Sequence, residues 1–193
     1  MSIIVPGRGW VFTADPDTDA FDIAGLDIRD DQTFSGWDWL GYTSKENTVA
    51  LTKEGGEATT RDTWEEDGVR SEKSPTIWGM TVNALSVTKE TLQLAFPDGE
   101  WDEATKRMRV FDGSQTVNRA VLVVMRDSEN GLAGFLFPNG ATGIGEAPSI
   151  TTDGFFEIQL SVTAQSSPKN RHKFDILTPR LATVEGEVTL PEG

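Results

Sequence analysis

Three aspartates near the N-terminus have the spacing of a calcium-binding loop. Asp15, Asp17 and Asp19 occupy the first, third and fifth positions, where such loops place oxygen ligands. The sixth position, which needs Gly for a sharp turn, is Ala20, and the twelfth, which needs a bidentate Glu, is Leu26. The pattern fails at both positions that make it specific, so the sequence predicts an Asp-rich turn without a metal.

Residues for other kinds of catalytic or cofactor site are lacking. There is no cysteine, and the one histidine, His172, has no neighbour in sequence with which to form a catalytic arrangement. The glycine-rich run PNGATGIGE is flanked by strand patterns and lacks the Lys-Ser/Thr pair of a phosphate loop, so it predicts a hairpin or loop. We therefore predict no catalytic residue, no cofactor and no enzymatic activity.

Composition limits the partners. A chain of 193 residues suits one domain, and its net charge of -14 with scattered basic residues argues against a nucleic-acid-binding surface. The nearest approach to a basic cluster, Lys169, Arg171 and Lys173, is interpreted as a solvated turn. No run approaches the ~18 apolar residues of a membrane span, and the first ten residues lack the pattern of a signal peptide. We expect folding in a cytoplasm.

Alternation of apolar and polar residues predicts a mainly β protein. AVLVVM is continuously apolar and is expected to be buried on both faces. FFEIQLSVTA alternates most cleanly, with Phe156, Ile158, Leu160 and Val162 on one face. The predicted strands are RGWVFTA (8–14), WDWLGYT (37–43), TVALTKE (48–54), IWGMTVNA (77–84), RMRVF (107–111), AVLVVM (120–125), GLAGFLFP (131–138), FFEIQLSVTA (155–164) and HKFDIL (172–177).

One helix is predicted after the IWGMTVNA strand. Thr88 can cap it, Glu90 lies in its first turn and Pro97 ends it. We expect its apolar stripe to comprise Leu92, Ala95 and Phe96. These elements predict an antiparallel β-sandwich or half-barrel with one packed α-helix. The chain divides into an N-terminal arm (1–36), a β domain (37–181) and a C-terminal tail (182–193).

The segment from 53 to 73 has seven acids, four bases, three glycines and no hydrophobic period, and Trp64 lies near its middle. Extended, it spans up to about 70 Å, or about half that as a hairpin. A long polar loop in a compact domain is usually functional or disordered, and an aromatic anchor on it favours contact with a partner. The alternative is that the loop and the arm fold back on their own sheet. The predicted inter-subunit contact residues are Trp10, Phe12, Phe21, Phe34, Glu57, Arg61, Trp64 and Arg70.

Several of these runs resemble major tail proteins of long-tailed bacteriophages, most closely those of actinobacterial phages. The resemblance lies in WDWLGYTSKENT from Trp37, EGGE from Glu54, the WGMTVNA strand and TKETLQLAF, and it covers about Trp10 to Pro179. It implies a structural virion protein whose subunits form hexameric rings that stack into a tail tube, the conduit for genome ejection. It also implies an outward-facing helix, contacts between rings through the loop and the arm, and assembly in the host bacterial cytoplasm.

The resemblance implies partners as well: further copies of the chain, a tape measure protein in the lumen, and tail tip and terminator proteins. DNA would pass without specific binding, which the acidic charge favours because six subunits place about -84 on each ring. The alternative is an ordinary solvent-exposed face. The predicted lumen-facing residues are Glu157, Gln159, Ser161 and Thr163.

A second functional class remains open at this point. A calcium-dependent carbohydrate-binding β-sandwich would use the Asp15–Asp19 turn and exposed tryptophans. Calcium would then raise the melting temperature, because a ligand that binds only the folded state stabilises it.

Overall fold

A computed structural model describes residues 6–23, 28, 33–61, 64, 70–113, 115–127, 131–150 and 152–178. Twelve strands and one helix lie in this part of the chain. They are β1 (Pro6–Ala14), β2 (Asp38–Trp39), β3 (Ala50–Gly55), β4 (Ala58–Arg61), β5 (Arg70–Lys73), β6 (Thr76–Ala84), α1 (Lys89–Ala95), β7 (Glu100–Asp102), β8 (Arg107–Arg109), β9 (Val117–Asp127), β10 (Leu132–Ile144), β11 (Ile158–Ala164) and β12 (Asp175–Leu177).

Eight of the strands form one antiparallel sheet: seven lie in the order β2-β1-β9-β10-β11-β6-β3, and the eighth, β12, pairs with β10. The thirteen-residue β10 pairs with β9 along one side and with both β12 and β11 along the other. Two small hairpins, β4–β5 and β7–β8, lie outside this sheet. The prediction of a mainly β, antiparallel fold with one helix is confirmed.

The helix covers one face of the sheet. Thr88 Oγ1 accepts a hydrogen bond from the Thr91 N–H at 3.2 Å, which confirms the predicted cap. The predicted stripe was displaced by one position: Thr91, Leu94 and Ala95 are buried, whereas Leu92 is only partly buried. The core under the helix draws on five strands, through Val11, Met80, Val82, Ala84, Val121, Val123, Phe137, Ile158, Leu160, Val162 and Ala164.

On the opposite face, a second cluster of buried side chains lies over β1, β9 and the first half of β10. There the residues after β1 fold back onto the sheet, and Ile23, Ile28 and Trp37 are buried against it. Phe12 makes edge-to-face contacts with Phe21 and Phe34, each at 5.4 Å between ring centroids. We call this region the covered half, and its strand residues are Trp10, Phe12, Ala14, Ala120, Leu122, Val124, Leu132 and Leu136.

Several sequence predictions need correction. WDWLGYT yields only the two-residue β2, and the first seven residues of PNGATGIGE, 138–144, form the second half of β10 instead of a loop. The strand passes Pro138, which has no N–H to donate, through a shift of register between Phe137 and Gly140. The short β7 was not predicted. The predicted C-terminal tail lies outside the described residues, and no helix among the described residues is long and apolar enough to cross a membrane.

Candidate assembly surfaces

A β-hairpin projects from one end of the sheet. The pairing of β3 with β6 ends at Gly55 and Thr76, and β4 and β5 continue as a separate two-stranded ribbon from Ala58 and Lys73. The described side chains of this ribbon are exposed on both of its faces. The predicted structureless loop is therefore a hairpin in part, which explains how a polar segment without a hydrophobic period can be ordered: main-chain pairing holds it.

The junction between sheet and hairpin is built from specific residues. Gly55 and Gly56 have φ values of 70° and 79°, in the left-handed region that glycine adopts without strain. A Cβ on Gly55 would overlap the carbonyl oxygen of Pro75. Glu57 and Ser74 then join the strands, because the Ser74 N–H donates to Glu57 O at 3.0 Å and the Glu57 N–H donates to Ser74 Oγ at 3.1 Å. This junction sets the direction of the hairpin.

Trp64 is fully exposed, with a relative accessibility of 102%. Of the other predicted contact residues on this segment, Glu57 and Arg61 are exposed, and Arg70 begins β5. An exposed indole in water gains none of the roughly 25 cal/mol per Å² that burial of apolar surface provides. Contact of these four residues with another subunit stays a prediction.

The four aromatic residues predicted as contacts in the N-terminal arm are in a different situation. Trp10 and Phe12 are 5% and 1% exposed and belong to β1, a strand inside the main sheet. Phe21 and Phe34 stack on each other at 3.8 Å and pack on the core of the covered half. The alternative weighed above, in which the arm folds back on its own sheet, describes these side chains. Their contact with another subunit stays a prediction and would require them to be uncovered.

The edge of the sheet at β3 is open. β3 pairs with β6 on one side, and in the described chain no strand pairs with its other side. All six of its residues are exposed. Unpaired main-chain N–H and C=O groups on an exposed edge strand are a template for pairing with another chain.

The face opposite α1 is polar beyond the covered half. The register aligns Ser161 of β11 with Thr81 of β6, and Thr81 with Ala50 of β3. We call this the polar face, and it comprises Gln159, Ser161, Thr163, Thr81, Asn83, Ala50 and Thr52. Three of the four predicted lumen residues lie on it, and their exposure to a lumen stays a prediction.

The fourth, Glu157, precedes β11 and is held by neighbouring side chains. Its carboxylate accepts hydrogen bonds from Ser44 Oγ at 2.6 Å, Asn83 Nδ2 at 2.8 Å and Asn47 Nδ2 at 2.9 Å. The Ser44 hydrogen bond, followed by those of Asn83 and Asn47, holds the pKa of Glu157 below its usual value. Glu157 thus fixes the 44–47 loop to the end of β6, a role that the sequence did not indicate.

The Asp-rich turn is bound by groups from elsewhere in the chain. Asp17, which has a φ of 64°, accepts hydrogen bonds from Ser167 Oγ at 2.5 Å and Asn170 Nδ2 at 2.9 Å. The Ser167 hydrogen bond is the largest of the effects that lower the pKa of Asp17. Lys169 Nζ lies 3.1 Å from both oxygens of Asp19, and both side chains are more than half exposed, so this ion pair belongs to a solvated turn as the sequence predicts.

Asp15 pairs with Arg119 at 2.6 Å, so each of the three carboxylates already has a partner within the chain. In the described ranges no three His, Cys, Asp or Glu residues are placed to hold a metal ion. The turn instead joins the residues after β1 to those after β11. His172 lies on the surface, where its Nε2 is 3.0 Å from Asp175 Oδ2. The alternative of a calcium-dependent carbohydrate-binding module has no support from this geometry.

Sequence reasoning missed a cleft at the end of the sheet opposite the hairpin. It has a volume of about 170 Å³ and lies between the residues after α1 and those before β9. Val110 and Phe111, on its wall, are more than half exposed. The sequence feature that could have indicated it is the pair of adjacent apolar residues, Val110 and Phe111, directly after β8. We call it the Phe111 cleft, and its lining residues are Ala95, Phe96, Pro97, Asp98, Gly99, Val110, Phe111, Gly113, Gln115, Thr116, Gly143 and Ile144.

Comparison with known protein families decides the class to which this sheet and hairpin belong. The model of a family described as "Phage tail tube protein" matches residues 1–186. The chain belongs to the phage tail tube protein family. No curated protein matches it. It is a structural component of the virion tail, it is not an enzyme, and its family implies self-assembly. The resemblance noted in the sequence is thereby confirmed at the level of the family.

Proposed function

We propose that this tail tube protein assembles in two steps: edge strands join subunits into hexameric rings, and hairpins then join each ring to the next. The observation that carries the proposal is the exposed hairpin with a fully exposed Trp64, whose indole buries no surface within its own subunit. The same edge, faces and hairpin provide a surface for each kind of contact that a stacked tube needs.

Ring formation would use the open edge of β3. Addition of a strand at this edge satisfies main-chain hydrogen-bonding groups that otherwise face water, which is a recurring mode of protein association. We expect backbone amides of Ala50–Gly55 that do not bond to β6 to gain protection from hydrogen exchange on assembly. Amides of β9, which has a neighbouring strand on each side, serve as the internal reference. Unchanged exchange of β3 in assembled rings would contradict edge pairing.

The polar face would line the lumen. Its hydroxyl and amide side chains offer DNA no cationic contacts, and the net charge of -14 on each subunit opposes phosphate binding. At physiological salt the Debye length is about 8 Å, so acids near the lumen contribute most to this repulsion. A conduit needs such a surface because bound DNA would not pass through.

The remaining proposed partners rest on the resemblance. They are a tape measure protein in the lumen, and tail tip and terminator proteins at the two ends of the tube. Assembly in the host cytoplasm and an actinobacterial host have the same basis, the runs from Trp37 and Glu54 and the helix segment. A plaque assay of a phage carrying this coding sequence on an actinobacterium would test the host.

A hairpin replacement tests the second step. Residues 58–73 are replaced by Asn-Gly, which closes the Glu57–Ser74 pair with a two-residue turn. We expect a folded monomer with an unchanged melting temperature that makes no tubes by negative-stain electron microscopy. Thr59→Ser, an exposed change within the hairpin, is the matched control and should make tubes. Normal tubes from the replacement variant would refute the role of the hairpin.

A further inference from the structure

The hairpin and the Phe111 cleft lie at opposite ends of the sheet. At the hairpin end, β3 finishes at Gly55 and β6 begins at Thr76. At the other end, β6 finishes at Ala84, β11 begins at Ile158 and β10 finishes at Ile144, which is part of the cleft. The hairpin that carries Trp64 therefore leaves the sheet at one end of its strands, and the concave surface lies at the other end.

The walls of the cleft are fixed by hydrogen bonds and close packing. Asp98 Oδ2 accepts a hydrogen bond from the Gln115 N–H at 3.0 Å, which joins the loop after α1 to the segment before β9. Gly113 lies so near Asp98 that a Cβ there would collide with the carboxylate. The Gly99 N–H donates to Phe96 O at 2.9 Å and so closes the turn after the helix. The concave shape thus belongs to the folded subunit.

The size and chemistry of the cleft fit one aromatic side chain. Its volume of about 170 Å³ lies below the roughly 300–1,000 Å³ of ligand pockets. Its apolar wall includes Phe96, Val110 and Phe111, and the half-buried carboxylate of Asp98 is an acceptor within the lining. An indole matches both properties, because it has a large apolar ring and an N–H that needs an acceptor when it is buried. Among the large hydrophobic side chains of the described residues, Trp64 is the most exposed.

We propose that Trp64 of one subunit inserts into the Phe111 cleft of a second copy in the adjacent ring. This inference rests on the proposed function and names the surface that receives the hairpin. Because donor and acceptor are different surfaces at opposite ends of the subunit, the contact is heterologous. Each added subunit leaves an unused hairpin at one end of the stack and an unused cleft at the other, so growth continues.

Photo-crosslinking tests the contact directly. Trp64 is replaced by the photoreactive aromatic amino acid p-benzoylphenylalanine, the assembled protein is irradiated, and crosslinked peptides are identified by mass spectrometry. We expect inter-subunit crosslinks to residues 95–99 and 110–116 in tubes and none in the dilute monomer. Crosslinks that map elsewhere, for example to the exposed Ile150 or Phe155 at the same end of the sheet, would overturn the proposal.

Paired variants supply a second readout. Trp64→Ala and Phe111→Ser should each raise the protein concentration needed for tube formation by at least about 10-fold, and the double variant by no more than the larger single effect. Phe155→Ser, at the same end but outside the cleft, is the matched control. Additive effects of Trp64→Ala and Phe111→Ser would overturn the proposal. Failure of the wild-type chain to form rings or tubes would instead refute the proposed assembly, and the cleft contact with it.

Discussion

The two halves of the sheet face opposite α1 differ in what covers them. In the covered half, Phe12 and Leu122 are buried in one cluster with Phe21, Ile23 and Trp37 from the segment after β1. Beyond β10, the same face carries Ser161, Thr163 and Thr81 with no layer of chain packed over them in the described residues. The sheet therefore uses one face both as a second core and as a polar surface.

This difference separates stability from assembly. Side chains of the covered half lose apolar contact with water inside the subunit, so their free energy of burial contributes to folding. The exposed side chains of the polar face, the β3 edge and the hairpin bury little apolar surface within a single subunit. We expect substitutions in the first region to change the free energy of unfolding, and substitutions in the second to change assembly.

The largest effect is expected for Phe12→Ala. This side chain is 1% exposed and contacts two further phenylalanine rings, so its removal leaves a cavity in the covered half. We expect the free energy of unfolding of the monomer to fall by about 3–5 kcal/mol, measured by denaturant titration. If the variant kept its free energy of unfolding but formed no tubes, Phe12 would act in assembly instead of folding, as an inter-subunit contact.

Trp64→Ala should give the opposite result. Because the indole is fully exposed, we expect the monomer's free energy of unfolding to change by less than about 0.5 kcal/mol. Loss of an interface anchor weakens association by about 2 kcal/mol or more, a factor of about 30 in the association constant. Denaturant titration and sedimentation of assembled protein measure the two quantities. A large drop in monomer stability would place Trp64 in the core.

Elements with a strong local pattern could be predicted from the sequence. AVLVVM lies within β9, buried on both faces, because its run of apolar residues has no polar face to expose. The helix start at Thr88 depends on one side chain and the N–H three residues later. By contrast, β10 continues through PNG because its partners tolerate a bulge, and that information lies in β9 and β11.

The candidate assembly surfaces could be predicted only where neighbouring residues in the sequence reveal them. A tryptophan in a long polar segment is visible in the sequence, so the exposed hairpin was anticipated in outline. The fixing of Asp19 by Lys169 joins residues 150 positions apart, and the Phe111 cleft joins three segments, so neither follows from local spacing. For Trp10 and Phe21 the local sequence suggested exposed residues, but both pack on the chain's own sheet. An aromatic residue in a Gly- and Pro-rich stretch can do either, and the sequence does not distinguish the two cases.

A smaller effect is expected from Glu157, at the margin of the polar face. The folded-state pKa of Glu157 lies below its usual value of 4.5, so its stabilising contribution is present above that pH and is lost as the pH falls through the lowered folded-state pKa. Glu157→Gln should lower the free energy of unfolding by about 1 kcal/mol at pH 7 and should flatten the fall in stability below pH 4.5. Melting temperatures measured from pH 3 to 7 test this, and an unchanged acid profile would contradict it.

The smallest effect on stability is expected at Thr163, where the question is which side of the tube the polar face occupies. The chain has no cysteine, so Thr163→Cys provides a single labelling site, and the exposed position predicts a stability change below about 0.5 kcal/mol. If the polar face lines the lumen, a small maleimide that diffuses into the tube should label it there, whereas a maleimide joined to a large globular protein should label the monomer alone. Gln93→Cys, on the exposed side of α1, is the control and should react with both reagents in tubes.

Labelling of Thr163→Cys tubes by the large reagent would place the polar face outside. Protection from the small reagent as well would make the polar face a contact between subunits, and the covered and polar halves would then both be cores, one within the subunit and one between subunits.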